Sequence, residues 1–180
     1  FRKSAIDLAA DVSQLGIDAT TTTEAIDQIV GTFGGGIKEV EDFSMTILGT
    51  AKNMGMDPGA LGRATLGMSK SLAELGPRAL GTSLEFQKLG RQFGVNAESL
   101  LAFSDKFEDY DSASDVVSKL NATFGTQLNT IELMKMSETD RAMAVMDNLK
   151  AQGVQFDQLS KFQKRNLAGI TGLEVAELSR

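Results

Sequence analysis

Asn53-Met54-Gly55-Met56-Asp57-Pro58 reads as the end of one helix and the beginning of another. Glycine takes the left-handed conformation that closes a helix, and the apolar residue after it folds back onto the last turn. Asp57 then offers its carboxylate to the free amides of the next helix. Pro58 at the first helical position lacks only an amide that the helix would not use. The same order (amide, apolar, Gly, apolar, Asp or Asn) recurs in Gln14-Leu15-Gly16-Ile17-Asp18 and in Gln92-Phe93-Gly94-Val95-Asn96. Gly16, Gly55 and Gly94 stand at equal intervals of 39 residues, the signature of a repeated helix pair. Gly153-Val154-Gln155 and Gly172-Leu173-Glu174 are shorter versions, and their intervals of 59 and then 19 residues do not continue the period.

Helical spacing holds on both sides of these turns. Ile6, Leu8, Ala9, Val12 and Leu15 form one face, and Ala25, Ile26, Ile29, Val30 and Phe33 the next, ending in Gly34-Gly35-Gly36. Val40, Phe43, Ile47, Leu48 and Ala51 predict a helix from about Lys38 to Asn53. Leu61, Ala64, Leu66, Met68, Leu72 and Leu75 predict one that runs from Pro58 to the break at Gly76-Pro77. Capping pairs are expected at Thr21 with Glu24 and Thr82 with Glu85, and helix starts at Asn96, at Ser112 with Asp115, and at Ser137 with Asp140. The last helices are expected from about Asp157 to Ala168 and from Leu173 onward. Apolar–polar alternation is missing, since Val154-Gln155-Phe156 is too short for a strand. The expected fold is all-α, a compact array of short helices joined by glycine turns. Residues 1–180 read as one helical region with a sub-boundary near 76–82. The opening on Phe1 and the stop at Arg180 inside a helical pattern suggest a piece of a longer chain.

Composition excludes much chemistry. With no Cys, His or Trp there is no disulfide, thiolate, imidazole base or His/Cys metal site. Hydrophobic residues make up 42% and charged residues 23%, a globular balance. The net charge of −6, with −3 in each half, argues against a grip on nucleic acid. No apolar run approaches the roughly 18 residues of a membrane helix, and no basic-then-apolar stretch at the start of this sequence reads as a signal peptide.

Asp105, Glu108, Asp109, Asp111 and Asp115 resemble a cation loop, but Ala113 and Ser114 stand where a ligand and a Gly are needed. Gly31 with Gly34-Gly35-Gly36, and Gly59, Gly62 and Gly67, lack the Gly-Lys-Ser/Thr ending of a phosphate loop. Gly67-Met68-Ser69-Lys70-Ser71 lacks the final Gly of a nucleophile elbow. Lys161, Lys164 and Arg165 read as a solvated face, and Met134, Met136, Met143 and Met146 as core filling. No pair of carboxylates has a spacing that singles it out for glycoside hydrolysis. The expectation is no catalytic residue, no cofactor and no metal. The residues singled out are the turn residues Gly16, Asp18, Gly55, Asp57, Pro58, Gly94, Asn96, Gly153 and Gly172.

Asn53-Met54-Gly55-Met56-Asp57-Pro58-Gly59, Lys119-Leu120-Asn121 with Phe124-Gly125 and Leu128-Asn129, and Leu159-Ser160-Lys161-Phe162-Gln163-Lys164 with Gly172-Leu173 resemble virion structural proteins of large contractile-tailed bacteriophages, the tail tape measure proteins. The likeness covers roughly residues 50–180 and is carried by turn signals rather than by chemistry. It implies a non-enzymatic protein made in the bacterial cytoplasm and built into the virion tail. Such a protein packs with other copies of itself and with tube, hub or baseplate proteins, and helps to set tail length. A measuring rod calls for long helices, so the frequent breaks imply a compact segment towards the hub. An acidic surface suits a lumen that DNA must pass without sticking. Two other classes stay open at this point: an α-solenoid-like adaptor that binds a protein, and a peptidoglycan-cleaving module of a tail protein.

Overall fold

The computed structural model describes residues 26–31, 36–69, 71–155 and 158–173, together with Ala10 and Ser13. Among them every regular element is a helix and none is a strand. Residues 26–31 are helical and are followed by α1 (Ile37–Met54), α2 (Pro58–Ser69), a 3-10 segment (Ala73–Arg78) and α3 (Ala79–Phe93). Then come α4 (Ala97–Asp105), α5 (Tyr110–Phe124), α6 (Thr130–Met134), α7 (Glu138–Ala151) and α8 (Lys161–Thr171). The chain divides into two compact units, residues 1–84 and 85–180, with the division inside α3. Among the described residues no helix is long and apolar enough to cross a membrane.

In the first unit α1 packs on α2. Val40, Phe43, Ile47 and Ala51, spaced by three or four residues, line the buried face of α1 and are fully excluded from solvent. Leu61, Leu66 and Met68 answer from α2, with Ile29 from the preceding helical residues. Burying each large side chain contributes about 1.5–3 kcal/mol. Gln28 Nε2 donates to the Leu66 carbonyl at 2.6 Å.

The expected continuation of α2 to Leu75 is corrected. The helix stops at Ser69, the amides of Ser71 and Leu72 turn back onto the Met68 carbonyl, and the 3-10 segment follows. Gly76 breaks that segment at φ 53°, ψ −125°, a conformation that side chains disfavour. The expected cap at Thr82 is corrected as well. Thr82 lies inside α3, and the Glu85 carboxylate accepts a hydrogen bond from Thr139 Oγ1 at 2.9 Å.

In the second unit α4 packs on α7, α5 on α6 and α8, and α6 on α7. Leu100, Phe103, Phe107, Leu120, Val145, Met146, Leu149 and Leu167 make the core. The Phe103 and Phe107 rings meet edge to face, 5.3 Å between centroids and 82° between planes. Asn96, Asp109, Asn129, Ser137 and Ser160 cap the five helices by accepting amide hydrogen bonds. Asp109 thus displaces the expected start at Ser112, whose amide it holds at 2.9 Å. α8 begins at Lys161 rather than near Asp157, because Ser160 and Gln163 form a reciprocal capping box.

Gly55, Gly94 and Gly153 have φ of 61°, 70° and 76°. After each, the next amide reaches back five residues, Met56 to the Ala51 carbonyl at 2.9 Å, Val95 to Gly90 at 2.8 Å and Val154 to Leu149 at 3.1 Å. This is the tight helix-closing turn in which the following side chain lies against the helix it has left. Gly125 and Gly172 close α5 and α8 by the simpler bond to the carbonyl four residues back. Asp57 accepts from the Ala60 amide at 2.7 Å, and Pro58 is the first residue of α2. Gly16, Asp18 and the Thr21–Glu24 pair lie outside the described residues.

Candidate functional site

The most elaborate polar arrangement surrounds Arg141. α7 carries this residue on its apolar face, in line with Val145 and Leu149, so burial of that face takes the guanidinium inside. Arg141 is only 6% exposed. Its Nε donates to the Leu133 carbonyl at 3.0 Å, Nη1 to Ser104 at 2.8 Å and Nη2 to Met136 at 3.2 Å. The guanidinium carbon also stands 5.8 Å from the centre of the Phe107 ring. One rigid fork therefore holds carbonyls from the last turn of α4, from α6 and from the turn after α6. The Ser104 and Leu133 carbonyls each also accept an amide three residues on, and the partial negative charge of helix C-termini suits a buried cation as their second donor. Ser104 Oγ adds a hydrogen bond to the Glu138 carbonyl at 2.8 Å. Lys106 does a similar service for α8, its Nζ lying 3.2 Å from the Ile170 carbonyl.

Asn121 organises the loop between α5 and α6. Its Nδ2 donates to the Leu128 carbonyl at 3.0 Å, while Oδ1 accepts from the Leu128 amide at 3.0 Å and from Thr126 Oγ1 at 2.7 Å. The Gln127 amide donates to Asn148 Oδ1 at 3.2 Å, which ties the loop to α7.

The turn residues singled out from sequence fall in different places. Gly55, Asp57 and Pro58 join α1 to α2 in the first unit. Gly94 and Asn96 join α3 to α4 in the second, Gly153 follows α7, and Gly172 follows α8 beside Lys106. Glu108, Asp109, Asp111 and Asp115 are solvent-exposed: Asp109 caps α5, and Asp115 pairs with Lys119 at 2.6 Å. Among the described residues no group of three or more Asp and Glu could hold a metal ion. Partial burial and the neighbouring Glu108 charge raise the Asp105 carboxyl above its ordinary pKa, and Arg141 offsets this in part. The methionines divide, Met146 being buried and Met136 and Met143 exposed. Met143 borders an open depression of about 240 Å3 with Glu85, Lys88, Leu89, Thr139 and Asp140.

Sequence reading missed Arg141 and Lys106, which look like two ordinary cations among 18. A signal existed for Arg141, a charge in register with the apolar stripe of its helix. None existed for Lys106, whose partner lies 64 residues away. No protein-family model, no curated protein and no solved structure matches this chain.

Proposed function

We propose that this chain is a non-enzymatic structural segment of a phage tail, resembling a tape measure protein, that works by helix packing with its own copies and with tube, hub or baseplate proteins. One observation supports this above the others: several buried polar side chains of the second unit hold the backbone at or near helix ends. Arg141, Ser104 and Thr171 all hydrogen-bond to backbone carbonyls, and Asn121 fastens an interhelical loop. Asn121, Gly125, Asn129 and Gly172 also belong to the residues that resemble the tail proteins, and each closes, opens or braces a helix. A polypeptide whose distinctive residues set the angles between helices is suited to holding a shape within an assembly. The frequent breaks suit a compact segment rather than the extended ruler.

The test is an in-frame deletion of this segment in the phage that encodes it, with particles imaged by electron microscopy and virion proteins identified by mass spectrometry. Missing or malformed tails, with peptides of this chain recovered from wild-type virions, are expected. Infective tails of normal length in the deletion mutant would overturn the proposal.

A further inference from the structure

α8 packs on α5 and buries Leu167 and Thr171, and the face away from those two residues carries Phe162 and Arg165, flanked by Lys161. Phe162 is 72% exposed, more than any other large hydrophobic side chain among the described residues, and Lys161 and Arg165 are exposed beside it. An exposed aromatic ring between two cations, on a chain of net charge −6, is an unpartnered face whose complement should be acidic. The same unit presents such a complement. Glu108 and Asp111 are exposed at the turn into α5, with Tyr110 between them at 55% exposure.

Among the described residues these two surfaces form no ion pair with each other. The Ile170 carbonyl is held by Lys106, which places the C-terminal end of α8 beside the turn into α5. Lys161 lies nine residues earlier on the helix, roughly 13 Å up its axis at 1.5 Å per residue. That is beyond ion-pair reach for Lys161 and beyond the screening length of about 8 Å at physiological salt. Arg165, five residues before Ile170 and roughly 7.5 Å up the axis, forms no ion pair with the turn. Among the described residues the one salt bridge is Lys119 with Asp115, and neither Lys161 nor Arg165 takes part. The basic-aromatic face and the acidic-aromatic turn are therefore separate, complementary patches on one unit. Complementary patches at different places on identical molecules give a heterologous, head-to-tail contact that propagates or closes into a ring.

We propose that this chain associates head to tail with a second copy, the Lys161–Phe162–Arg165 face of α8 in one copy seating on the Glu108–Tyr110–Asp111 turn of the next. This rests on the reading above of a protein that packs against its own copies, and it names the surface. Aromatic rings at the centre with charges around them follow the usual anatomy of a protein interface.

Sedimentation equilibrium of the purified 180-residue chain tests it. The wild type should self-associate, less so as salt rises. Lys161→Glu with Arg165→Glu should weaken association at least about tenfold, as should Glu108→Lys with Asp111→Lys, with helix content by circular dichroism unchanged. Phe162→Ala should weaken it without changing the salt dependence. The decisive sample is the mixture: the two charge-reversed chains each fail alone and associate together, since one now offers acid where the other offers base. A monomeric wild type, or a mixture that stays monomeric, would overturn the proposal. So would binding of a short DNA duplex lost on Lys161→Glu with Arg165→Glu, which would assign the face to nucleic acid. Because the assay uses purified chain, its failure leaves the tail reading to the deletion experiment.

Discussion

Arg141 on α7 donates through Nη1 to the carbonyl of Ser104 at the end of α4, 2.8 Å away and 37 residues back in sequence. Local capping fixes where each helix of the second unit begins, but this contact fixes how two of them meet. Nη2 and Nε extend the same fork to Met136 and Leu133, so the short α6 is seated by a residue that follows it. A five-residue helix is too short to be stable by itself, and its position depends on such contacts.

Arg141→Met should therefore lower stability by roughly 3 kcal/mol, because three charge-assisted hydrogen bonds that join the ends of α4 and α6 to α7 are lost together. Arg141→Lys should recover only part of this, since one ammonium cannot span three carbonyls as a planar fork does. Urea titration followed by circular dichroism measures both. An unchanged midpoint for Arg141→Met would show that the fork contributes nothing net.

Much of the local structure was legible in sequence, and most of the long-range structure was not. Asn96 and Ser137 were readable as caps because capping chemistry acts over two or three residues. The all-helical class followed from apolar spacing alone. What escaped depended on competition between neighbours or on distant partners. Asp109 took the cap expected at Ser112 because it lies three residues ahead of that amide and accepts more strongly. Glu85 was expected to close a box with Thr82 but reaches Thr139, 54 residues on. The end of α2 at Ser69 lacks a breaker; the apolar residues at 72 and 75 that suggested continuation are packed by a 3-10 turn instead.

Asn121→Ala should cost about 2 kcal/mol and free the loop from 125 to 129, because three hydrogen bonds are lost at once. Asn121→Asp is the informative companion. It keeps the acceptor for the Leu128 amide and for Thr126 but sets a carboxylate oxygen against the Leu128 carbonyl. Hydrogen exchange of the Leu128 amide should rise in both variants, more in Ala. Protection equal to wild type in Ala would sink the assignment of Asn121 as the organiser of the loop.

Gly90 and Gly49 should respond in opposite senses to alanine. A Cβ at Gly90 would stand 2.6 Å from the Val95 carbonyl oxygen and 3.2 Å from the Ala97 amide nitrogen, both backbone atoms of the turn after Gly94. Relief requires the turn to move, so Gly90→Ala should destabilise despite the better helix propensity of alanine. Gly49 lies inside α1 with nothing within 4 Å of such a Cβ, and Gly49→Ala should stabilise by about 0.5–1 kcal/mol. Thermal melts of the two variants check this, and equal shifts of one sign would contradict it.

Two carboxylates should give opposite pH responses. The Glu39 carboxylate accepts from the Gly36 amide at 2.6 Å at the start of α1, and that bond, first, holds its pKa below the ordinary value. Its contribution is present above the ordinary carboxylate range of about 4 and is lost as pH falls through the lowered folded value. Asp105 behaves inversely. Burial, then the charge of Glu108, raises its folded pKa, so the native state binds the proton more tightly than the unfolded chain does. Stability due to Asp105 is therefore greatest below its ordinary pKa and falls as pH rises through the raised folded value. Asp105→Asn should stabilise the protein at neutral pH, with the gain vanishing in acid, whereas Glu39→Gln should destabilise at neutral pH and converge on wild type in acid. Urea midpoints for the three proteins from neutral pH down to about 3, where both groups are protonated in the unfolded chain, separate the two effects. A neutral-pH loss of stability in Asp105→Asn would reverse the sign assigned to burial at that site.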